Sequence, residues 1–119
     1  MIRQVAWTAP ARAGLARALP PATLDFIEAE VRAGISALWE CSQAEHHAYC
    51  VTRVDQNPTT FVIVAFEGTG MHLFAPSFIA AAESRNLPMR AHTVSPIVAR
   101  LIRRYGFRTA EFVCRRERA

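Results

Sequence analysis

The chain has no lysine. All 14 of its basic residues are arginine, a preference that a GC-rich genome also produces. It lacks any apolar run approaching the ~20 residues that a membrane helix needs. The longest candidate, Phe61 to Phe66, is strand-sized. The opening residues MIRQVAW carry one charge and no apolar stretch, unlike a signal peptide. Cysteine is scarce: Cys41, Cys50 and Cys114 are an odd set with no close pair. That argues against a secreted disulfide framework and for reduced, buried thiols. These absences lead to the expectation of a cytoplasmic protein with no membrane partner.

The 119 residues are half apolar and one-fifth charged, which suits one globular domain with a modest core. The charge is unevenly placed. Seven arginines fall between Arg100 and Arg118, against only Glu111 and Glu117, whereas the rest of the chain is close to neutral. The net charge of +4 is therefore a C-terminal patch. Such a patch attracts phosphates, nucleic acid or an acidic partner protein; a solvated helix face is the plainer alternative.

Along the chain, Met1 to Trp7 reads as a short strand. Thr8 before Ala-Pro-Ala opens a helix predicted over 9–19, stopped by Pro20-Pro21. Thr23 is the expected cap of a second helix, amphipathic through Leu24, Ile27 and Val31 and ended by Gly34. From Ile35 the period changes to that of strands. Ile35 to Cys41 and His47 to Val54 read as an antiparallel pair, with a turn at Asp55-Gln-Asn-Pro58. Thr60 to Phe66 is a continuous β-branched and aromatic run, as expected of a central strand buried on both faces. Gly68-Thr-Gly70 breaks it. A helix follows over about 71–85, with Pro76 marking a kink or a late start. Met89 to Val94 is a short strand. Ser95-Pro96 opens a last helix, Gly106 ends it, and Phe107 to Cys114 is a final strand. The expected architecture is a single α/β (α+β) domain over 1–119, with a mixed central sheet and helices on both faces. Its parts are N-terminal strand and helices (1–34), antiparallel meander (35–67), helix-strand-helix-strand (68–115) and tail (116–119).

This order resembles the GNAT-type N-acyltransferases, from about Ala37 to Arg115. The most specific local match is Ser95-Pro-Ile-Val-Ala-Arg-Leu-Ile-Arg-Arg-Tyr-Gly-Phe107. It keeps the spacing of the family's N-x-x-A-x-x-x-Y-x-x-x-G-F, with Ser95, Val98 and Ile102 at the asparagine, alanine and tyrosine positions. The resemblance implies acetyl-CoA as cofactor, held by a loop of the form Q/R-x-x-G-x-G/A at a helix N-terminus. Here that loop reads Ala65-Phe-Glu-Gly68-Thr-Gly70. The implied cofactor-binding residues are Phe66, Gly68, Thr69 and Gly70, with Arg100 from the last helix reaching the phosphates.

The departures bear on chemistry. Ala65 replaces the basic or amide residue, and Glu67 puts negative charge beside the anion. Ile102 replaces the tyrosine that protonates the departing thiolate in many members. Tyr105 is the remaining acid candidate, although three residues turn it about 300° round the helix. Glu67 is the candidate base, with His72 and His92 as alternatives on geometry; each also has an ordinary structural role open to it.

Two other constellations are weaker. Cys41, His46, His47 and Cys50 around one hairpin are zinc ligands by type but not by spacing, so no metal is expected. Arg100, Arg103, Arg104 and Arg108 around Tyr105 carry no nucleic-acid-binding motif, so a basic nucleic-acid module is the least favoured reading. The altered positions slightly favour a degenerate acetyltransferase-like protein with weak or no acyl transfer. Small proteins of that kind resemble structural or assembly components of tailed bacteriophages, found in host cytoplasm or virion. The alternative is an active N-acetyltransferase on an unidentified amine. The usual last hairpin strand has no sequence left to form it, which leads to the expectation of a homo-oligomer completing the sheet edge, or of an assembly partner met through the arginine patch.

Overall fold

The computed structural model describes residues 1–92 and 103–107. In chain order the elements are β1 (Ile2–Val5), α1 (Ala9–Leu15), α2 (Pro21–Arg32), β2 (Ser36–Gln43), β3 (His46–Asp55), β4 (Thr60–Gly68), α3 (Met71–Ser84) and β5 (Met89–Ala91), with a 3-10 turn at Arg103–Tyr105. The strands form one sheet in the order β1-β2-β3-β4-β5. The first three pairings are antiparallel and β4–β5 is parallel, the mixed sheet expected. The last helix opened by Ser95-Pro96, most of the strand from Phe107 and the tail lie outside the described residues.

Alternation along the strands sorts side chains to two cores. Leu38, Val51 and Ala65 meet Ala11 and Leu15 of α1 and Leu24 and Ile27 of α2 on one face. Cys41, Ala48, Cys50 and Phe61 meet Phe74, Phe78 and Ala82 of α3 on the other. Both helix starts and stops have local causes. The Thr8 hydroxyl accepts from the Ala11 N–H at 3.3 Å and caps α1. At the end of α2 the Gly34 N–H donates to Val31 and the Ile35 N–H to Glu30. That pairing needs the left-handed backbone that Gly34 adopts (φ +77°).

Three expectations need correction. The first helix ends at Leu15, not Leu19, because 3-10-type bonds from Arg17 to Gly14 and from Ala18 to Leu15 tighten the chain before the prolines. The second helix starts at Pro21, with Pro20 as its extended N-cap, so Thr23 lies in the first turn rather than capping it. Pro76 is inside α3, so it does not mark a late start. It has no N–H, so it leaves the His72 carbonyl without the usual helical donor. The Tyr105 hydroxyl stands 3.5 Å from that oxygen.

An ion cluster holds the far end of the sheet. Arg53 of β3 bonds Asp55 at 2.5 Å and Glu30 of α2 at 3.1 Å, and Arg90 of β5 reaches the same Asp55 at 2.6 Å. One carboxylate thereby links β3 to β5 across β4.

Candidate active site: a gap between two strands

Among the described residues, strands β4 and β5 are paired at Phe61–Met89, Val62–Arg90 and Ile63–Ala91. The last bond runs from the His92 N–H to the Ile63 carbonyl at 3.0 Å. Beyond it β4 continues to Gly68, with no further partner from β5 among the described residues. Val51 pairs with Ala65 and Thr52 with Ile63, so Val64 is the extra residue of a β-bulge where the strands part. From Val64 to Gly68 this edge of β4 has no described partner and runs about 13 Å at the usual strand rise.

The parting opens a cavity of about 350 Å³. Leu15 and Leu19 line it from the α1 side and Phe78 and Ile79 from the α3 side, so it passes through the sheet. Its size is that of a small-molecule site. Among the described residues, few chemically active groups reach it: Glu67 on β4, His92 just beyond β5, Tyr105, and the thiol of Cys50. The Glu67 side chain makes no hydrogen bond or ion pair among the described residues. Alternation puts Glu67 with Ala65, and His92 opposite to Ala91, so both point to the α1–α2 face, one on each side of the gap.

One end of the gap is the N-terminus of α3. Gly70 is its N-cap at φ +85°, with no side-chain cap. The unpaired N–H groups of a first turn attract anions. The loop leading there is held against β3: the Thr69 N–H donates to the His47 carbonyl at 3.0 Å, and the Thr69 hydroxyl accepts from the His47 N–H at 3.4 Å. Both glycines are required by this approach. A Cβ on Gly68 would lie 2.3 Å from the His47 carbonyl oxygen, and one on Gly70 would lie 2.8 Å from the His46 Cβ.

The candidates therefore separate. Phe66, Glu67 and Tyr105 line the cavity. Gly68, Thr69 and Gly70 form the turn at its α3 end, and His92 stands where the strands part. Arg100 lies outside the described residues. Tyr105 lines the same cavity as Glu67, and Ile102 lies outside the described residues. His72 is exposed on the first turn of α3. His46, which the sequence offered only as a metal ligand, packs edge-on against it at 5.6 Å between centroids. Its Nδ1 is buried without a partner. No sequence signal could place His46 there, because the contact follows from the antiparallel register of β3 on β4.

That register also builds a polar row. Arg3, Glu40, Tyr49 and Glu67 are successive cross-strand partners on β1 to β4. Arg3 donates to Glu40 at 2.7 Å and His47 lies 3.1 Å from the second carboxylate oxygen. The hydrogen bond from Arg3, then that from His47, holds Glu40 below the usual carboxylate range. Burial, with the Glu40 charge, pushes the Tyr49 phenol up. The thiols behave differently. Burial raises Cys41 to about 11 and Cys50 well above its ordinary value, so neither is a thiolate nucleophile at neutral pH. Among the described residues no three His, Cys, Asp or Glu converge as a metal site.

The mixed sheet with its flanking helices has the fold of solved GNAT-type acetyltransferases. The chain is similar in structure to an aminoglycoside 6'-N-acetyltransferase from Acinetobacter haemolyticus, at TM-score 0.64 and 8% identity over 100% of this chain and 98% of that one. It is likewise similar to an acetyltransferase from Clostridium acetobutylicum solved with acetyl-CoA, at TM-score 0.61 and 10% identity over 98% and 96%. A protein described as a transcriptional regulator from Bacillus halodurans gives TM-score 0.67 and 13% identity over 98% of each chain. No family model matches the chain, and no curated protein matches its sequence. No helix among the described residues is long and apolar enough to cross a membrane.

Proposed function

We propose that the protein binds acyl-CoA in the gap and transfers the acyl group to an amine. The observation that carries this is the cavity through the sheet, bounded by an open helix N-terminus at one end and by Glu67, His92 and Tyr105 along its walls. The pyrophosphate would lie against the first turn of α3. There His46 and His72 supply polar rings where Ala65 leaves no basic side chain. The pantetheine arm would run along the unpaired edge of β4 and bring the thioester to the bulge at Val64. A β4 backbone N–H facing the gap would polarise the thioester carbonyl.

The amine then attacks that carbonyl, the C–N bond forms and the C–S bond breaks. Glu67 or His92 takes the proton lost by the amine, and the thiolate takes one from Tyr105 or from water. The products are an amide and free CoA. Thermal melting with millimolar acetyl-CoA tests binding. With a Kd one-hundredth of the ligand concentration, linkage stabilises the fold by about 2.7 kcal/mol. No shift with any acyl-CoA sinks the proposal.

A second reading has its own observation. The close approach of β3 accounts for Gly68 and Gly70 without any phosphate, and Glu67 puts a negative charge beside the anion position. A fold retained as a structural or assembly component, phage-type or otherwise, would look this way. It predicts no CoA binding and self-association through a sheet edge, visible by light scattering.

A further inference from the structure

The cavity does not end where the thioester would sit. At the last β4–β5 pair, Ile63 and Ala91 share the face on which Met89 packs toward α3. From there the cavity continues beneath α3, between Ala75 and Ile79 on the helix and Cys50 and Met89 on the sheet. Every one of these side chains is apolar or a protonated thiol. Glu67 and His92 point to the opposite face of the sheet, so the amine has its proton acceptors on the α1–α2 side. An acetyl group needs no such extension. A longer aliphatic chain does, because each methylene moved out of water is favourable and the described wall beneath α3 is apolar.

We infer that the acyl donor is a thioester of a short aliphatic acid longer than acetate, four to six carbons, whose tail lies beneath α3 while the amine approaches from the α1–α2 face. The inference rests on the acyl-CoA reading and names the acyl class for that same site.

Calorimetric titration of the full chain with free CoA, acetyl-CoA, butyryl-CoA and hexanoyl-CoA tests it. Burial of two methylenes makes butyryl-CoA about ten-fold tighter than acetyl-CoA. Ala75→Leu, which fills the space beneath α3, should remove that advantage and leave free CoA and acetyl-CoA unchanged. Ala91→Val is a second, smaller block, to be used if the first variant melts early. Equal affinity for acetyl- and butyryl-CoA in the wild type overturns the inference and leaves the acyltransferase reading standing. So does a chain-length preference untouched by folded variants of both kinds. Failure of every CoA species, free CoA included, overturns the reading beneath it and the inference together.

Discussion

Alanine at Gly68 and alanine at Gly34 ask the same backbone question in two surroundings. Both glycines have positive φ, +133° and +77°. A side chain at such an angle costs roughly 1–2 kcal/mol by itself. At Gly34 nothing lies within 4 Å of the new Cβ, so that cost is the whole effect. At Gly68 the Cβ would stand 2.3 Å from the His47 carbonyl oxygen and 2.5 Å from the Ala48 Cα. Both are backbone atoms of β3 and cannot rotate aside. Either β3 shifts, with an overpacking cost of about 1–3 kcal/mol, or the Thr69 to His47 bond is lost, at about 1 kcal/mol. The total at Gly68 is then about 2–5 kcal/mol. At about 4 °C per kcal/mol for a chain of this size, thermal melting by circular dichroism should show a drop of about 8–20 °C for Gly68→Ala. Gly34→Ala should fall by about 4–8 °C. Equal shifts would refute the claim that the turn is glycine because β3 presses on it, and would return Gly68 to a role in ligand approach alone.

Other outcomes follow from single contacts. Asp55 is held below its ordinary carboxylate range, first by the hydrogen bond from Arg53. A depressed folded pKa gives stability that is complete above the unfolded value and lost as pH falls through the folded one. Asp55→Asn should therefore cost about 1 kcal/mol at neutral pH and flatten the loss of stability below pH ~4 in acid titrations. Cys41 and Cys50 should resist a thiol reagent at pH 8 in the native state and react once the protein is denatured, as peptide mapping would show; reaction at native Cys50 would contradict its burial. Tyr105→Phe should change the melting temperature by no more than a few degrees, since one long hydrogen bond to the His72 carbonyl is lost. A fall in kcat larger than ten-fold in that variant would assign Tyr105 to the departing thiolate.

Periodicity carried most of the fold. The run from Thr60 to Phe66 was readable as the central strand because β-branched and aromatic residues fill both of its faces. Gly34 was readable as a stop because few other residues adopt its backbone. The start of α2 misled because Pro20 and Pro21 can serve as cap and first residue, which a threonine two positions later obscures. The site was legible in part. Gly68 and Gly70 announced a turn, yet a sequence cannot say whether a glycine yields to a phosphate or to a neighbouring strand. His46 and the row from Arg3 to Glu67 were invisible, since cross-strand register alone brings them together.

The geometry also divides labour between the two candidate bases. Glu67 lies three residues beyond the bulge at Val64, about 10 Å along the strand toward α3. His92 is beside Ile63, where the strands part. If the pyrophosphate sits at the N-terminus of α3, the thioester lies at the other end of the gap, closer to His92 than to Glu67. Glu67 is then a charge facing the phosphates. Across a partly solvated gap, a repulsion of this kind is on the order of 1 kcal/mol. Glu67→Gln should accordingly bind acyl-CoA about five-fold more tightly and keep its kcat within a few-fold. His92→Gln should lose about 10²-fold or more in kcat with acyl-CoA affinity unchanged. The reverse result, a collapse of kcat in Glu67→Gln with His92→Gln near wild type, would move the thioester to the α3 end of the gap. It would also remove the longer acyl tail from beneath α3, because a thioester held beside Glu67 is too far from Ala91 to send a four-carbon chain there.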